Sequence, residues 1–416
     1  MNTHIISIGD ELLIGQVINT NASWMAAELN KNDIDVTCVE TIGDESDAIL
    51  NALKRSEQQA DVVLITGGLG PTKDDITKKV LCDYFGGHLV MHQPSLRNVS
   101  DFFEKRGLPL TEVNRAQALV PDCCTPLLNG MGTAPTMWFE HNGKIIVSMP
   151  GVPFEMQWMM HTHIIPKLRQ HFSKGAILHK TVLTFGIGES FLADKIESWE
   201  LALPQNFHLA YLPEAGKVRL RLTAHGDNHN QLSSTMEQQI ESLYQLIGDN
   251  IYGYDDDTLS SVVGQRLSEQ HSTVATAESC TGGLLGNFIT ETPGASAYYV
   301  GGIIAYDTRI KTQLLGVQTD ILKQHGAVSR ETAEAMAIGC RERFGTNYAI
   351  ATTGIAGPDG GTTDKPLGTV WIAVADNSGV QARKYVFRTT RTQHQQRTAN
   401  QALFNLWCVM SGKPLC

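Results

Sequence analysis

The run Thr273-Val274-Ala275-Thr276-Ala277-Glu278-Ser279-Cys280-Thr281-Gly282-Gly283 constrains the fold more than any other stretch of the chain. A β-branched apolar segment enters it and a helical pattern over 284–289 leaves it. A strand that stops at a hydroxyl residue and turns through two glycines into a helix belongs to an open α/β sheet, with the hydroxyl at the sheet's carboxyl edge. Amides at the helix start are then expected to face a bound anion or a developing oxyanion. A second Gly-rich turn follows the apolar run 349–353, and a third, Thr66-Gly67-Gly68-Leu69-Gly70, follows 62–66.

Length sets the number of such sheets. At 416 residues the chain has room for two or three domains, each with its own core. A formal net charge of −10 argues against broad nucleic-acid or membrane-surface binding, which needs clustered Lys and Arg. No apolar stretch approaches the ~20 residues that span a bilayer, and the amino terminus does not read as a signal peptide. The eight cysteines lack Cys-x-x-Cys spacing, as reduced thiols do. A cytoplasmic location is expected.

The rhythm of the chain changes twice. Strands are expected over 4–8, 36–40 and 62–66, helices over 21–31, 47–58, 76–85 and 94–106, and two short strands near 137–140 and 144–148, a βαβ pattern. Between 173 and 257 a strand at 177–185, a short helix at 191–199, an alternating strand at 218–224 and an amphipathic helix at 228–247 suggest a small α+β unit. Thr258 is placed to cap the helix that opens the last part, where βαβ alternation resumes through strands at 273–276, 302–306, 348–353, 369–375 and 384–388.

In the last part Ser279, Tyr306, Lys311 and Thr353 fall at or just beyond strand ends, which gather at one edge of a parallel sheet. Serine alone is a poor nucleophile, but a desolvated lysine beside it can take its proton. The alternatives are an N-cap for Ser279, a solvated Lys311, and Cys280 as nucleophile or inert packing. In the first part the turn Gly9-Asp10-Glu11 and the segment Gly67-Gly68-Leu69-Gly70-Pro71-Thr72-Lys73-Asp74-Asp75 combine glycine turns with carboxylates. Carboxylates beside a phosphate repel it unless a divalent cation bridges them, so metal-assisted chemistry on a phosphate ester or anhydride is expected. The alternative is that Asp10, Asp74 and Asp75 cap helices and close turns.

These motifs together resemble the CinA family of competence/damage-inducible proteins along the whole chain. Residues 258–416 are similar to its nicotinamide-nucleotide amidase (PncC-type) domain through 277–283, 302–306 with Lys311, His325-Gly326-Ala327-Val328-Ser329, and Lys365-Pro366-Leu367-Gly368-Thr369-Val370-Trp371. The segments around Asp10 and Gly67, with 129–135 and 150–156, are similar to its molybdopterin-binding-like domain.

The resemblance implies two parallel-sheet α/β domains, MoaB/MogA-like at 1–170 and PncC-like at 255–416, joined by a KH-type α+β domain at 171–254. It implies deamidation of nicotinamide mononucleotide (NMN) to nicotinate mononucleotide and ammonia, without a cofactor. Ser279 would then be the nucleophile and Lys311 the base, and Tyr306 would orient the pair or assist the departure of ammonia. Glu278, Cys280, Thr281, Gly282, Gly283, Thr353, Gly354, Ala356, Gly357, Gly360 and Arg391 would bind substrate. For the first domain it implies hydrolysis of ADP-ribose to AMP and ribose 5-phosphate with Mg, Mn or Co. Metal ligands would come from Asp10, Glu11, Asp74 and Asp75, and phosphate contacts from Gly67, Gly68 and Gly70. A homodimer that binds neither nucleic acid nor membrane is expected. The chain departs from the family pattern at Asp307-Thr308 (Ser-Asn is usual), at Gln395 (a basic residue is usual) and at Thr136 (glycine is common). A pterin-binding protein is the rival reading. A nucleic-acid scaffold is disfavoured, because 173–257 carries no Gly-x-x-Gly loop.

Overall fold

The computed structural model describes every residue except 33, 71, 73, 74, 173–175, 215, 414 and 416. Residues Met1–His179 with Ala224–Ser234 form one compact unit, and Lys180–Thr223 with Thr235–Cys416 form the other.

In the first unit a six-stranded sheet runs Asp35–Ile42, Asn2–Ile8, Val62–Thr66, Lys144–Met149, Thr136–His141, Thr125–Leu127. The first four strands are parallel and the last two antiparallel. Val62–Thr66 is buried at every residue, as a continuous apolar run covered on both faces must be. Neighbouring residues separate onto the two faces: Ile5 and Leu64 pack with Met25, Leu29 and Met156, whereas Ile6 and Ile65 pack with Ile49, Leu53 and Leu81. The antiparallel extension follows from a two-residue connection, Asn142-Gly143, with both φ positive (51° and 74°), which folds the chain straight back where a helical crossover would have kept it parallel.

The second unit has a five-stranded sheet in the order Tyr299–Ile304, Val274–Glu278, Tyr348–Gly354, Thr369–Ala375, Val380–Val386. Its first three strands are parallel and carry the Gly-rich turns, and the last two are antiparallel. Helix Arg330–Phe344 covers one face, where Ala333, Ala337 and Cys340 meet Ala275, Ala277, Ala349 and Ala351. Small residues on both sides bring backbones close. A Cβ at Gly339 would lie 1.8 Å from the carbonyl oxygen of Leu315, which ends helix Thr308–Leu315. The other face packs against Arg391–Met410 and Leu259–Glu269, the latter opened by a capping box of Thr258 and Ser261.

A four-stranded sheet, Phe207–Glu214, Lys217–Gly226, Ala176–Phe185, Ile251–Tyr254, accounts for the middle of the chain. Phe185 joins the core of the second unit, its ring 4.6 Å from that of Phe404. No helix among the described residues is long and apolar enough to cross a membrane.

The approach at Gly339 fixes the helix that carries Lys311. Gly339→Ala should destabilise the second unit by about 1–3 kcal/mol through overpacking, although alanine is the better helix former. Urea unfolding measures it, and an unchanged midpoint would mean that the two helices separate without cost.

Candidate active sites

Strand Val274–Glu278 ends beside Thr352, whose carbonyl accepts the amide of Ser279 at 2.9 Å. Gly282 and Gly283 then turn the chain with φ of 63° and 102°. The amides at the following helix start do not face a ligand. The carboxylate of Glu278, only 2 % exposed, accepts those of Gly283 (2.9 Å), Leu285 (3.0 Å) and Gly286 (2.8 Å). The expectation of Glu278 as a substrate contact is corrected: it is an internal cap for helix Leu284–Thr290. Among the described residues, the amides of the turn without a partner are those of Cys280 and Thr281. They directly follow Ser279, as donors for an oxyanion at a serine nucleophile must.

Lys311 comes from helix Thr308–Leu315, is 1 % exposed, and brings Nζ to 3.0 Å from Ser279 Oγ. The same nitrogen donates to the carbonyls of Ala305 and Tyr306, the second at 3.4 Å. A neutral amine has two N–H groups and one lone pair. With both N–H groups on carbonyls, the lone pair is left to receive the Ser279 proton. Burial lowers the Lys311 pKa from its ordinary value, against smaller opposing effects of Cys280 and Asp307. Asp307 caps this helix by accepting the amide of Arg309 at 2.7 Å, a role serine fills equally well, so the departure from Ser-Asn leaves Lys311 in place.

The other expected residues divide. Cys280 is buried and its thiol is pushed up to about 12 by desolvation, which removes it as a nucleophile. Thr281 bonds Thr352 between hydroxyls at 2.8 Å, and Thr353, 1 % exposed, donates to the Ala327 carbonyl at 2.6 Å. Both threonine hydroxyls are engaged within the protein, where they hold the turns together. Tyr306 lies beyond its strand, which ends at Ile304, and its phenol accepts from Arg391 at 2.9 Å and not from Ser279 or Lys311. Its backbone carbonyl, with the closer one of Ala305, is what orients Lys311. Arg391 also donates to the Gly357 carbonyl at 2.8 Å, tying the second Gly-rich turn to the same edge. Gly354 ends its strand against Val370, Ala356 is buried, and Gly360 is exposed with φ 97°. Sequence reading missed the Ala305 carbonyl and the role of Gln395. The Gln395 amide donates to the Cys280 carbonyl at 3.1 Å and so fixes the plane of the adjoining Thr281 amide. Backbone carbonyls leave no side-chain signal to read.

The first unit holds a cleft of about 600 Å³ at the carboxyl edge of its parallel strands, lined in part by Glu11, Asn19, Asp44, Gly68, Leu69 and Glu155. Gly67 has φ 109° and passes so close to the first strand that a Cβ would lie 2.2 Å from the Ile8 carbonyl. Its own amide goes to the Met149 carbonyl at 3.2 Å. The Gly70 amide goes to Asp75 Oδ1 at 2.8 Å. Of the three glycines expected at phosphate, Gly68 is the one whose N–H has no partner among the described residues, and that of Leu69 has none either.

The carboxylates also differ from expectation. Asp75 staples the loop, accepting from Gly70 and from both the amide (2.8 Å) and the hydroxyl of Thr72. Asp10 exchanges amide hydrogen bonds with Asp44 (3.0 and 3.3 Å). Asp74 lies outside the described residues. Glu11 lines the cleft, and Glu155, raised in pKa by burial, accepts from Asn129 at 2.5 Å. Among the described residues no three His, Cys, Asp or Glu side chains converge as a metal site. Of the four ligands expected, Asp10, Glu11, Asp74 and Asp75, Asp10 and Asp75 are engaged in closing their own turns and Asp74 is not described, so the described side chains do not by themselves form a divalent-metal cluster.

Three family models match the chain in order. They are the "Probable molybdopterin binding domain" over residues 4–170, the "Damage-inducible protein CinA KH domain" over 179–253, and the "CinA C-terminal domain" over 256–410. A CinA-like protein of Cytophaga hutchinsonii is 46% identical over 410 residues, covering 98% of each chain. Another, of Flavobacterium psychrophilum, is 44% identical over 97% of each chain. Among solved structures, a competence/damage-inducible protein from Agrobacterium tumefaciens shares 37% identity over 37% of this chain and 93% of its own, with a TM-score of 0.36.

Replacing Glu278 by alanine removes the acceptor of three part-buried or buried amides. The substitution should cost at least ~2 kcal/mol of stability in thermal or urea unfolding, as an unsatisfied helix start does. Wild-type stability would mean that water replaces the carboxylate.

Proposed function

The chain belongs to the CinA family, and from that premise we propose that its carboxyl-terminal part deamidates nicotinamide mononucleotide. The observation that carries this reading is the 3.0 Å contact between a buried Lys311 amine and the Ser279 hydroxyl. Ser279 Oγ attacks the carboxamide carbon as Lys311 Nζ takes its proton. The carbonyl oxygen, now negative, meets the amides of Cys280 and Thr281. The Lys311 ammonium, still bonded to the Ala305 and Tyr306 carbonyls, returns the proton to the nitrogen as the C–N bond breaks and ammonia leaves. A water then attacks the acyl ester, giving its proton to Lys311, and Ser279 departs with that proton as nicotinate mononucleotide is released. Arg391 is the cation at this edge suited to the substrate's phosphate.

Ammonia release tests the assignment. Ser279→Ala and Lys311→Ala should each lose at least ~10²-fold in kcat, and Cys280→Ala should keep most activity. Full activity in Ser279→Ala would move the chemistry elsewhere. Because the base must be neutral and burial lowers its pKa, kcat/KM should rise with pH through a value below the ordinary lysine range and level off above it. An acid limb at the ordinary lysine value would contradict a desolvated base.

For the amino-terminal cleft we propose a diphosphate ligand, with ADP-ribose hydrolysed to AMP and ribose 5-phosphate. The amides of Gly68 and Leu69, without a partner among the described residues, support phosphate binding. The family description of this domain favours a second reading, a pterin phosphate bound without cleavage. Chromatography of ADP-ribose incubated with the protein and divalent cations separates them. AMP and ribose 5-phosphate should appear in equal amounts, and intact ADP-ribose would favour the pterin.

A further inference from the structure

We propose that Gln395 is a positioning residue for the acyl-transfer chemistry at Ser279, holding the Thr281 N–H on the oxygen where negative charge develops. The inference rests on reading Ser279 as the nucleophile and adds the group that keeps its oxyanion donor in line.

The need for such a group lies in the turn itself. The Gly282 amide donates to the Ser279 carbonyl at 3.2 Å, which makes Ser279–Gly282 a β-turn with the Cys280–Thr281 peptide at its centre. Type I and type II turns differ by reversal of that central plane, so it is the part of a turn that rotates most readily. Thr281 resists complete reversal, because the reversed turn needs a positive φ at its third residue and β-branched Thr281 has a negative one. Smaller tilts are not blocked by sterics. The Thr281 hydroxyl, bonded to Thr352 at 2.8 Å, holds the side chain and not the peptide plane.

Gln395 removes the remaining freedom. Its Nε2 donates to the Cys280 carbonyl at 3.1 Å, and among the described residues that carbonyl accepts from no other donor. A trans peptide's C=O and N–H share one plane and point opposite ways, so anchoring the carbonyl aims the Thr281 N–H. The anchor is itself stiff. Gln395 stands in helix Arg391–Met410 beside His394, which is fully buried and meets the Gly368 carbonyl at 3.2 Å. One turn earlier, Arg391 donates to the Gly357 carbonyl at 2.8 Å. A carboxamide is uncharged, so exchanging it for another neutral side chain leaves the charge balance at Lys311 as it was.

Two readouts on the full chain test the assignment. A fluorophosphonate labels Ser279 as its Oγ bonds to phosphorus, fluoride leaves and Lys311 takes the proton, while the phosphonyl oxygen draws on the same amides. Gln395→Met, which keeps the length and removes the donor, should slow labelling about 10-fold, less than the ~10²–10³ that deleting an oxyanion donor outright costs. Ammonia release from nicotinamide mononucleotide should fall about 10-fold in kcat, with KM within ~2-fold of wild type and the acid limb of kcat/KM unmoved. Gln395→Lys, which restores a donor, should bring labelling back to within ~3-fold of wild type. Labelling of Gln395→Met at the wild-type rate, a loss that appears in KM instead of kcat, or a Gln395→Lys no faster than Gln395→Met would each overturn the inference. Slow labelling of Gln395→Met in a protein whose wild type labels but releases no ammonia would strike the nicotinamide substrate and uphold the positioning role. A wild-type Ser279 that takes no label would sink the nucleophile reading, and the inference with it.

Discussion

An amine inside a protein is charged or neutral according to what surrounds it, and the second unit is built around one such amine. Lys311 meets two carbonyls and a hydroxyl, with water almost entirely excluded. Burial disfavours the ammonium, and the carbonyls give the neutral form a fixed orientation. The arrangement holds only while its helix stays against the sheet. Asp307 caps the start of that helix, and its end at Leu315 rests against Gly339, where nothing larger than hydrogen fits. The alanine-rich contact beneath helix Arg330–Phe344 lets backbones approach closely enough for a lysine to reach across to the neighbouring strand end.

The two sites share a device. In each, a carboxylate turns inward and takes the amides of a glycine turn: Glu278 those of Gly283, Leu285 and Gly286, and Asp75 those of Gly70 and Thr72. In each, two consecutive amides are left without a partner among the described residues, Cys280 and Thr281 in one, Gly68 and Leu69 in the other. The inward carboxylate makes the turn rigid, and rigidity is what gives fixed N–H dipoles their value toward a developing or bound negative charge.

That device limits what could be read from sequence. Strand 62–66 and the helices over 21–31 and 47–58 were legible because periodicity and β-branching agree with their burial. Ser279 and Lys311 were legible because a hydroxyl at a strand end and a lysine one helical turn into the next element leave few other geometries. The strand Phe207–Glu214 was missed because Pro213 and a half-exposed pattern hide its alternation. The last strand, Val380–Val386, was placed several residues late because its charged outer face resembles a loop. An acidic residue beside a glycine turn reads identically whether it binds a metal or closes the turn. Only geometry assigns Glu278, Asp75 and Asp10 to the second role.

Two lysines with lowered pKa show how neighbours, and not burial alone, decide what an amine does. Lys311 faces the Ser279 hydroxyl, and two of its N–H groups are already placed on carbonyls. Lys78 faces a single carbonyl and feels the field of Asp75, and with a pKa of about 8 it keeps its charge at neutral pH. It has no hydroxyl partner to deprotonate. The same residue type under the same kind of desolvation thus meets a hydroxyl in one unit and a lone carbonyl in the other.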